Sequence, residues 1–203
     1  MRRDVGAAPS PGEFVGPWYS WWPGDLLPDF TPVPGFAAAP EPNDRTLVAL
    51  AGGTPSELAA WRRDGNQPYG ARIAGEIVAC GWSASRTLAI GELDLVRPLA
   101  PGERYLWGFA TADQWRGRGL YPRLLAAIVR NEGGGNRYWI GHKPGNVASG
   151  RGILKAGFGR VGDIYRQPTG EFALMPAGTP ERARIGAAIL GASVWSTPVS
   201  PPT

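Results

Sequence analysis

Apolar and polar positions along the chain follow two periods, and each marks a kind of element. Residues 69–73 and 76–83 alternate on either side of Ala74-Gly75, which predicts two half-buried strands joined by a tight turn. Residues 103–111 (Glu-Arg-Tyr-Leu-Trp-Gly-Phe-Ala-Thr) are aromatic-rich and short of helix formers, as a buried strand requires. Residues 120–131 instead place apolar side chains every three or four positions and predict an amphipathic helix. Thr54-Pro55-Ser56-Glu57 is a helix start, with Thr as cap, Pro first and Glu reaching back; that helix carries Leu58 and Trp61 and ends near Gly65. Asn146 can cap a helix that Gly157 ends, although Gly150 and Gly152 weaken it. Thr179-Pro180-Glu181 opens a last helix that runs to the region of Leu190.

Weaker patterns complete the order. They predict a short strand over 34–38, a helix over 43–51, a strand over 137–141, and closing strands over 158–165 and 171–174. Residues 90–97 read as another strand or extended segment, with Glu92 and Asp94 on one face and Leu93 and Leu95 on the other. The fold class is therefore α/β, a mixed, twisted sheet flanked by helices. Residues 14–36 stand apart: Pro17-Trp18-Tyr19-Ser20-Trp21-Trp22-Pro23-Gly24 cannot be a helix interior. Two readings stay open there, an extended arm laid on the surface or a lid or wall of a pocket.

Composition narrows the class. The 203 residues fit one domain with extensions, and 43% hydrophobic content is enough for a core. No run of eighteen apolar residues exists, so no membrane span is expected. The N-terminus lacks the apolar segment of a secretory signal, which makes the cytoplasm the default location. Cys80 is the one cysteine; it allows no internal disulfide and no metal set, and its strand-like setting suits a small buried hydrophobe. The formal charge of +4 is carried almost wholly by arginines. They are scattered and form no basic run, so no nucleic-acid partner is expected. Many of the 30 glycines and 21 prolines lie near the ends, where 1–12 and 196–203 read as loose tails.

The chemistry begins at Gln114-Trp115-Arg116-Gly117-Arg118-Gly119, between the strand over 103–111 and the helix over 120–131. Two glycines free the backbone for positive φ and clear side chains from a ligand's path. The first-turn N–H groups of the helix lack internal partners, its dipole favours an anion, and two arginines add charge. A pyrophosphate suits such a loop. A P-loop would need Lys and then Ser or Thr after the second glycine, but Leu120-Tyr121 follow. A dinucleotide fingerprint would need glycine at 122, where Pro stands. The third pattern, Gln/Arg-x-x-Gly-x-Gly/Ala, is matched by Gln114, Gly117 and Gly119, and in this the chain resembles the GNAT (GCN5-related) N-acetyltransferase superfamily.

About thirty residues on, Asn146, Ser149, Lys155, Gly157 and Phe158 fall in register with that family's second motif. The resemblance covers roughly residues 68–175. It implies a GNAT domain over 33–176, a Pro/Trp-rich N-terminal arm over 1–32, and a C-terminal helix and loose tail over 177–203. It implies acetyl-CoA as co-substrate, an amine acceptor and no metal. It implies a splay between the strands ending at Thr111 and near Gly141, with pantetheine bonding to the backbone of Phe109, Ala110 and Thr111. Backbone N–H groups from Arg116 through Gly117, Arg118, Gly119 and Leu120 to Tyr121 would meet the pyrophosphate, with Gln114 and Asn146 as further cofactor-side residues. Members are often dimers, through the last helix or the Trp-rich arm here.

Acyl transfer to an amine needs a neutral amine, a stabilised carbonyl oxygen and a proton for the departing thiolate. The family implies a backbone N–H near Thr111 for the oxygen. Its usual acid, a Tyr seven residues after the motif Asn, is replaced by Ile153. Ser149, a water, or no acid at all are the substitutes. His142 is the sole histidine and ends the strand bordering the splay, so it is a base candidate, or else orients substrate. Glu103, on the coenzyme-side strand, is the second. Glu92 and Asp94 are weaker, and suit attraction of a cationic acceptor. The alternative to an N-acetyltransferase is a catalytically weak GNAT fold that binds acyl-CoA and serves as a regulatory module.

Overall fold

A computed structural model describes residues 12–195. The first strand, β1, is Glu13–Trp21, and β2 is Phe36–Pro40. Helices α1 (Asp44–Ala51) and α2 (Pro55–Arg63) follow, each opened by a capping side chain, Asn43 and Thr54. The Thr54–Glu57 capping box forms as the sequence predicts. Strands β3 (Asn66–Ile73) and β4 (Glu76–Ala84) make the expected hairpin, with Ala74 and Gly75 both at positive φ. Then come β5 (Thr87–Ile90), β6 (Leu95–Pro98), β7 (Glu103–Thr111), α3 (Leu120–Asn131), β8 (Arg137–Gly141) and α4 (Val147–Lys155). Strands β9 (Gly159–Arg166) and β10 (Phe172–Pro176), α5 (Pro180–Leu190) and β11 (Ser193–Val194) close the chain.

Nine strands form one sheet in the order β11-β10-β9-β1-β8-β7-β4-β3-β2, while β5 and β6 form a separate hairpin. The β7–β8 and β10–β11 pairs are parallel and the other pairs of the large sheet antiparallel. Alternation along the strands divides the core in two. Tyr138 and Ile140 of β8 pack with Leu124, Leu125 and Ile128 of α3 and Ile153 of α4. Trp139 faces the other way, with Trp18, Val161, Leu174 and Leu190. A third cluster sets Leu47 of α1 and Leu58 of α2 on Cys80 and Trp82 of β4.

Three expectations need correction. The Trp-rich arm is no appendage: β1 lies inside the sheet, hydrogen-bonded to β8 on one side and β9 on the other, with Trp18 fully buried. The boundary expected at residue 32 therefore cuts through one sheet. Pro17 is tolerated because it sits between two register shifts against β9 and beyond the last pair with β8. Second, residues 90–97 are not one strand. They hold the end of β5, a 3-10 turn and most of β6, with Asp94 in the left-handed region at φ 51°. Third, the C-terminal helix is integral, since α5 buries Ala183, Ala187 and Leu190 in the core and leads into β11. The predicted tails, 1–12 and 196–203, lie outside the described residues apart from Gly12.

Candidate active site

The parallel pair β7–β8 is joined only at Glu103↔Arg137, Arg104↔Tyr138 and Tyr105↔Trp139. Beyond Tyr105, β7 runs on to Thr111 with β8 no longer beside it. Gly108 (φ 65°) forms a bulge where Gly108 and Phe109 together oppose Gly81 of β4. The ring of Phe109 lies across Gly81, where any Cβ would overlap it. The expected splay is thus present, and a cleft of about 950 Å³ passes through it. On one side the lining is Tyr121, Asn146 and Ser149 from the α3–α4 face; on the other it is Trp18, Trp61 and Trp107.

The glycine loop has the expected geometry. Asp113–Trp115 is a 3-10 turn, Gly117 stands at φ 75° and Gly119 at φ 70°, and α3 starts at Leu120. A Cβ on Gly117 would meet nothing within 4 Å, so an open cradle lies in front of it. Arg118 stacks over the Trp115 ring at 4.7 Å, and Arg116 pairs with Asp113 at 2.8 Å. The Arg116 N–H already donates to Asp113 O at 3.2 Å, so of the expected donor row Arg116 is already engaged within the loop. Gln114 is exposed on the turn. Leu120 buries its side chain, so only its backbone could serve a ligand. Phe109, Ala110 and Thr111 are half-buried on the parted strand, and the Thr111 carbonyl accepts from Arg116 Nε at 3.2 Å. Asn146 caps α4 by accepting from the Ser149 N–H at 3.1 Å.

The three catalytic candidates divide. Glu103 does not reach the cleft. It is 2% exposed, accepts from Trp139 Nε1 and pairs with Arg137 at 2.5 Å. Its carboxylate joins β7 to β8 where the two are still paired, so it is a structural ion pair and not a base. His142 and Ser149 do line the cleft. His142 Nδ1 lies 2.9 Å from the Lys143 carbonyl, which can only accept, so that nitrogen carries the proton. Nε2 then accepts from the Tyr19 hydroxyl at 3.4 Å, beneath stacked rings 5.8 Å apart. Burial raises the Tyr19 pKa, which keeps that phenol a donor. Of the weaker candidates, Glu92 lines the cleft and pairs with Lys143 at 2.7 Å, whereas Asp94 is not part of its wall.

Tyr121 is the group the sequence did not single out for its side chain. Its hydroxyl and Ser149 Oγ are 3.3 Å apart, and burial pushes its pKa well above the ordinary phenol range. The two glycines that weaken α4 now have a reason. A Cβ on Gly152 would lie 2.5 Å from Tyr121 Cδ1, and one on Gly150 would lie 2.7 Å from His142 Nε2. Ile153 is fully buried in the core and turned away from any chemistry. Cys80 is buried, its thiol pushed up to about 11 by desolvation, which rules out a nucleophile near neutral pH.

A mixed sheet with parted parallel strands and a glycine-rich loop opening a helix defines an α/β fold of the acyltransferase class. No protein-family model matches the sequence, and no curated protein does. Solved structures do. A GNAT-family protein from Novosphingobium aromaticivorans shares 27% identity at a TM-score of 0.50, over 76% of this chain and 65% of its own. A GCN5-related N-acetyltransferase from Kribbella flavida shares 21% identity at a TM-score of 0.50, over 72% of this chain and 54% of its own. This chain spans less than two thirds of the length of either. The chain shares the fold of these GNAT-family structures.

Proposed function

We propose that the protein moves an acetyl group from acetyl-CoA to a primary amine by direct attack in a ternary complex. One observation carries the reading: β7 parts from β8 beyond Tyr105 and borders a cleft that Phe109 and Tyr121 line, and the glycine loop joins those two residues' elements, so a thioester tethered there by its diphosphate would have its acyl end within reach of the cleft. The loop fits the carrier because Gly117 and Gly119 hold positive φ, Gly117 fronts open space, and arginines flank them. In the reaction the amine nitrogen bonds to the carbonyl carbon, the carbon–sulfur bond breaks, the amine loses a proton and the sulfur gains one. Backbone N–H groups on the free edge of β7 near Thr111 stabilise the carbonyl oxygen. Tyr121, hydrogen-bonded to Ser149, supplies the sulfur's proton in place of a donor at position 153. His142 with Tyr19 behind it takes up the amine proton at Nε2.

A second reading, an acyl-CoA-binding module with little turnover, is favoured by one fact: both His142 nitrogens are engaged by the protein itself. Calorimetry with acetyl-CoA, followed by thiol release over a broad amine panel, separates the two. Saturable binding with turnover supports transfer; binding with no turnover for any amine leaves the module; absence of binding sinks both. A cytoplasmic location and a homodimer remain part of this proposal, checked by cell fractionation and sedimentation.

A further inference from the structure

The acceptor side of the cleft has its own chemistry. Trp61 and Trp107 stand edge to face there, ring centroids 5.0 Å apart and planes at 83°. Asn66, 8% exposed, holds both: its Nδ2 donates to the Trp61 carbonyl at 2.9 Å and its Oδ1 accepts from Trp107 Nε1 at 2.9 Å. A buried amide satisfied in this way fixes the two rings as a rigid apolar corner. Tyr105 extends that wall, and Ile90 of the β5–β6 hairpin faces it. Three charged side chains, Asp64, Glu92 and Lys143, reach the cleft among the described residues. Glu92 and Lys143 neutralise one another at 2.7 Å. Asp64, exposed beside Trp61 at the end of α2, has no side-chain hydrogen bond or ion pair among the described residues. Asp64 is therefore the one charged side chain lining the cleft that is left without an ion-pair partner among the described residues.

We infer that the acceptor is a primary amine carried by a short chain on an apolar ring. The ring packs into the Trp61–Trp107 corner, the amine reaches the parted strands, and Asp64 draws the ammonium form in from solution. Aromatic walls favour a ring by burial and by edge-to-face or offset contact. A sugar, a linear polyamine or a peptide would bury hydroxyl, ammonium or amide groups against ring faces, which satisfy them poorly. A lone carboxylate at the mouth raises the encounter rate of a cation and is screened by salt. The volume admits such an amine beside a thioester end. This inference deepens the transfer reading and rests on it.

The full chain is first titrated with acetyl-CoA, then assayed with phenylethylamine, tryptamine, spermidine, glucosamine and triglycine. The ring-bearing amines should exceed the others in kcat/KM by at least about tenfold. Trp107→Ala should raise their KM by about tenfold and leave acetyl-CoA affinity unchanged. Asp64→Asn, at an exposed position where folding is not at issue, should raise KM roughly threefold at low ionic strength and have no effect at high salt. Spermidine, glucosamine or triglycine performing as well as the ring amines overturns the inference, as does an Asp64→Asn effect indifferent to salt. If acetyl-CoA itself fails to bind, the transfer reading falls separately. Tryptophan-fluorescence titration with phenylethylamine alone then still tests the corner, and absence of saturable quenching ends the proposal.

Discussion

The two sides of the cleft are built in opposite ways. The α3–α4 side is local: one contiguous run from β7 through the glycine loop to α3, plus α4 a few residues after β8. The opposite side, where the acceptor is proposed to sit, is assembled from β1, the α2–β3 junction, the β5–β6 hairpin and β7, which are far apart in sequence. The contrast follows from what each side must do. An anion cradle needs backbone N–H groups and particular φ values in one stretch, so only a few residue types in one order will serve. A wall for an apolar body needs bulk, and any element can supply it.

The sharpest way to break this comparison is at the cradle. Gly117→Glu puts a carboxylate into the space in front of the loop, at a φ of 75° that L-residues adopt with strain. Acetyl-CoA affinity should fall by at least about a thousandfold, roughly 4 kcal/mol, as read by calorimetry. Thermal unfolding should fall by only a few degrees, since the backbone strain costs about 1–2 kcal/mol and nothing packs on that position. Affinity retained within about tenfold would mean the diphosphate sits elsewhere.

Legibility in the sequence follows the same division. Strand β7, helix α3 and strand β8 fall at the residues predicted, and α4 and α5 open at the predicted caps Asn146 and Thr179. Each is a local pattern with its own stop signal. Strand β1 escaped because its prolines argue against a strand interior, and the register shifts that accommodate Pro17 exist only once β8 and β9 are in place. Tyr19, Tyr121 and Asn66 escaped for the related reason that their partners, His142, Ser149 and Trp107, lie 123, 28 and 41 positions away. Glu103 reads as a base candidate in the sequence because face alternation places a carboxylate without saying whether an arginine already holds it.

Glu103 sharpens the comparison at the seam between the two sides. Glu103→Gln keeps an acceptor for Trp139 Nε1 but leaves the Arg137 guanidinium without its charge partner. Breaking a buried pair costs about 3–5 kcal/mol, and the retained hydrogen bond and the half-buried arginine bring the expected loss to roughly 2–3 kcal/mol. Denaturant midpoints would measure it. The shape of the pH–rate profile should not change. A lost acid limb with stability intact would restore Glu103 as the proton acceptor.

Gly152→Ala sets two effects against each other. Alanine in the interior of α4 gains about 1 kcal/mol of helix propensity. Its Cβ, however, lies 2.5 Å from Tyr121 Cδ1, and overpacking of that kind costs about 1–3 kcal/mol. A net loss of about 1 kcal/mol is expected, with kcat lowered because the Tyr121 hydroxyl is pushed from Ser149. A variant that gains stability at full activity would show that the glycine makes no room for Tyr121, and the proposed proton donor would lose its support.

The smallest effect tests how firmly the acceptor side is held. The β5–β6 hairpin shares no ladder with the large sheet, and its tip meets the end of β8 through Glu92 and Lys143. The Lys143 ammonium, by its hydrogen bond, holds the Glu92 carboxyl below the ordinary carboxylate range. With the folded value depressed, the pair's stabilisation is fully present above the ordinary carboxylate value, and it is lost as pH falls through the depressed one. Both side chains are more than half exposed, so the pair contributes about 0–1 kcal/mol at neutral pH. Lys143→Ala should therefore leave global unfolding nearly unchanged and loosen only the hairpin. The readout is faster amide exchange over 88–97 and a modest rise in the acceptor's KM, both erased at acid pH where wild type already lacks the pair. A Lys143→Ala variant losing 2 kcal/mol or more, beyond what an exposed pair supplies, would mean that the hairpin is bound as tightly as the sheet. The acceptor wall would then be as rigid as the cradle.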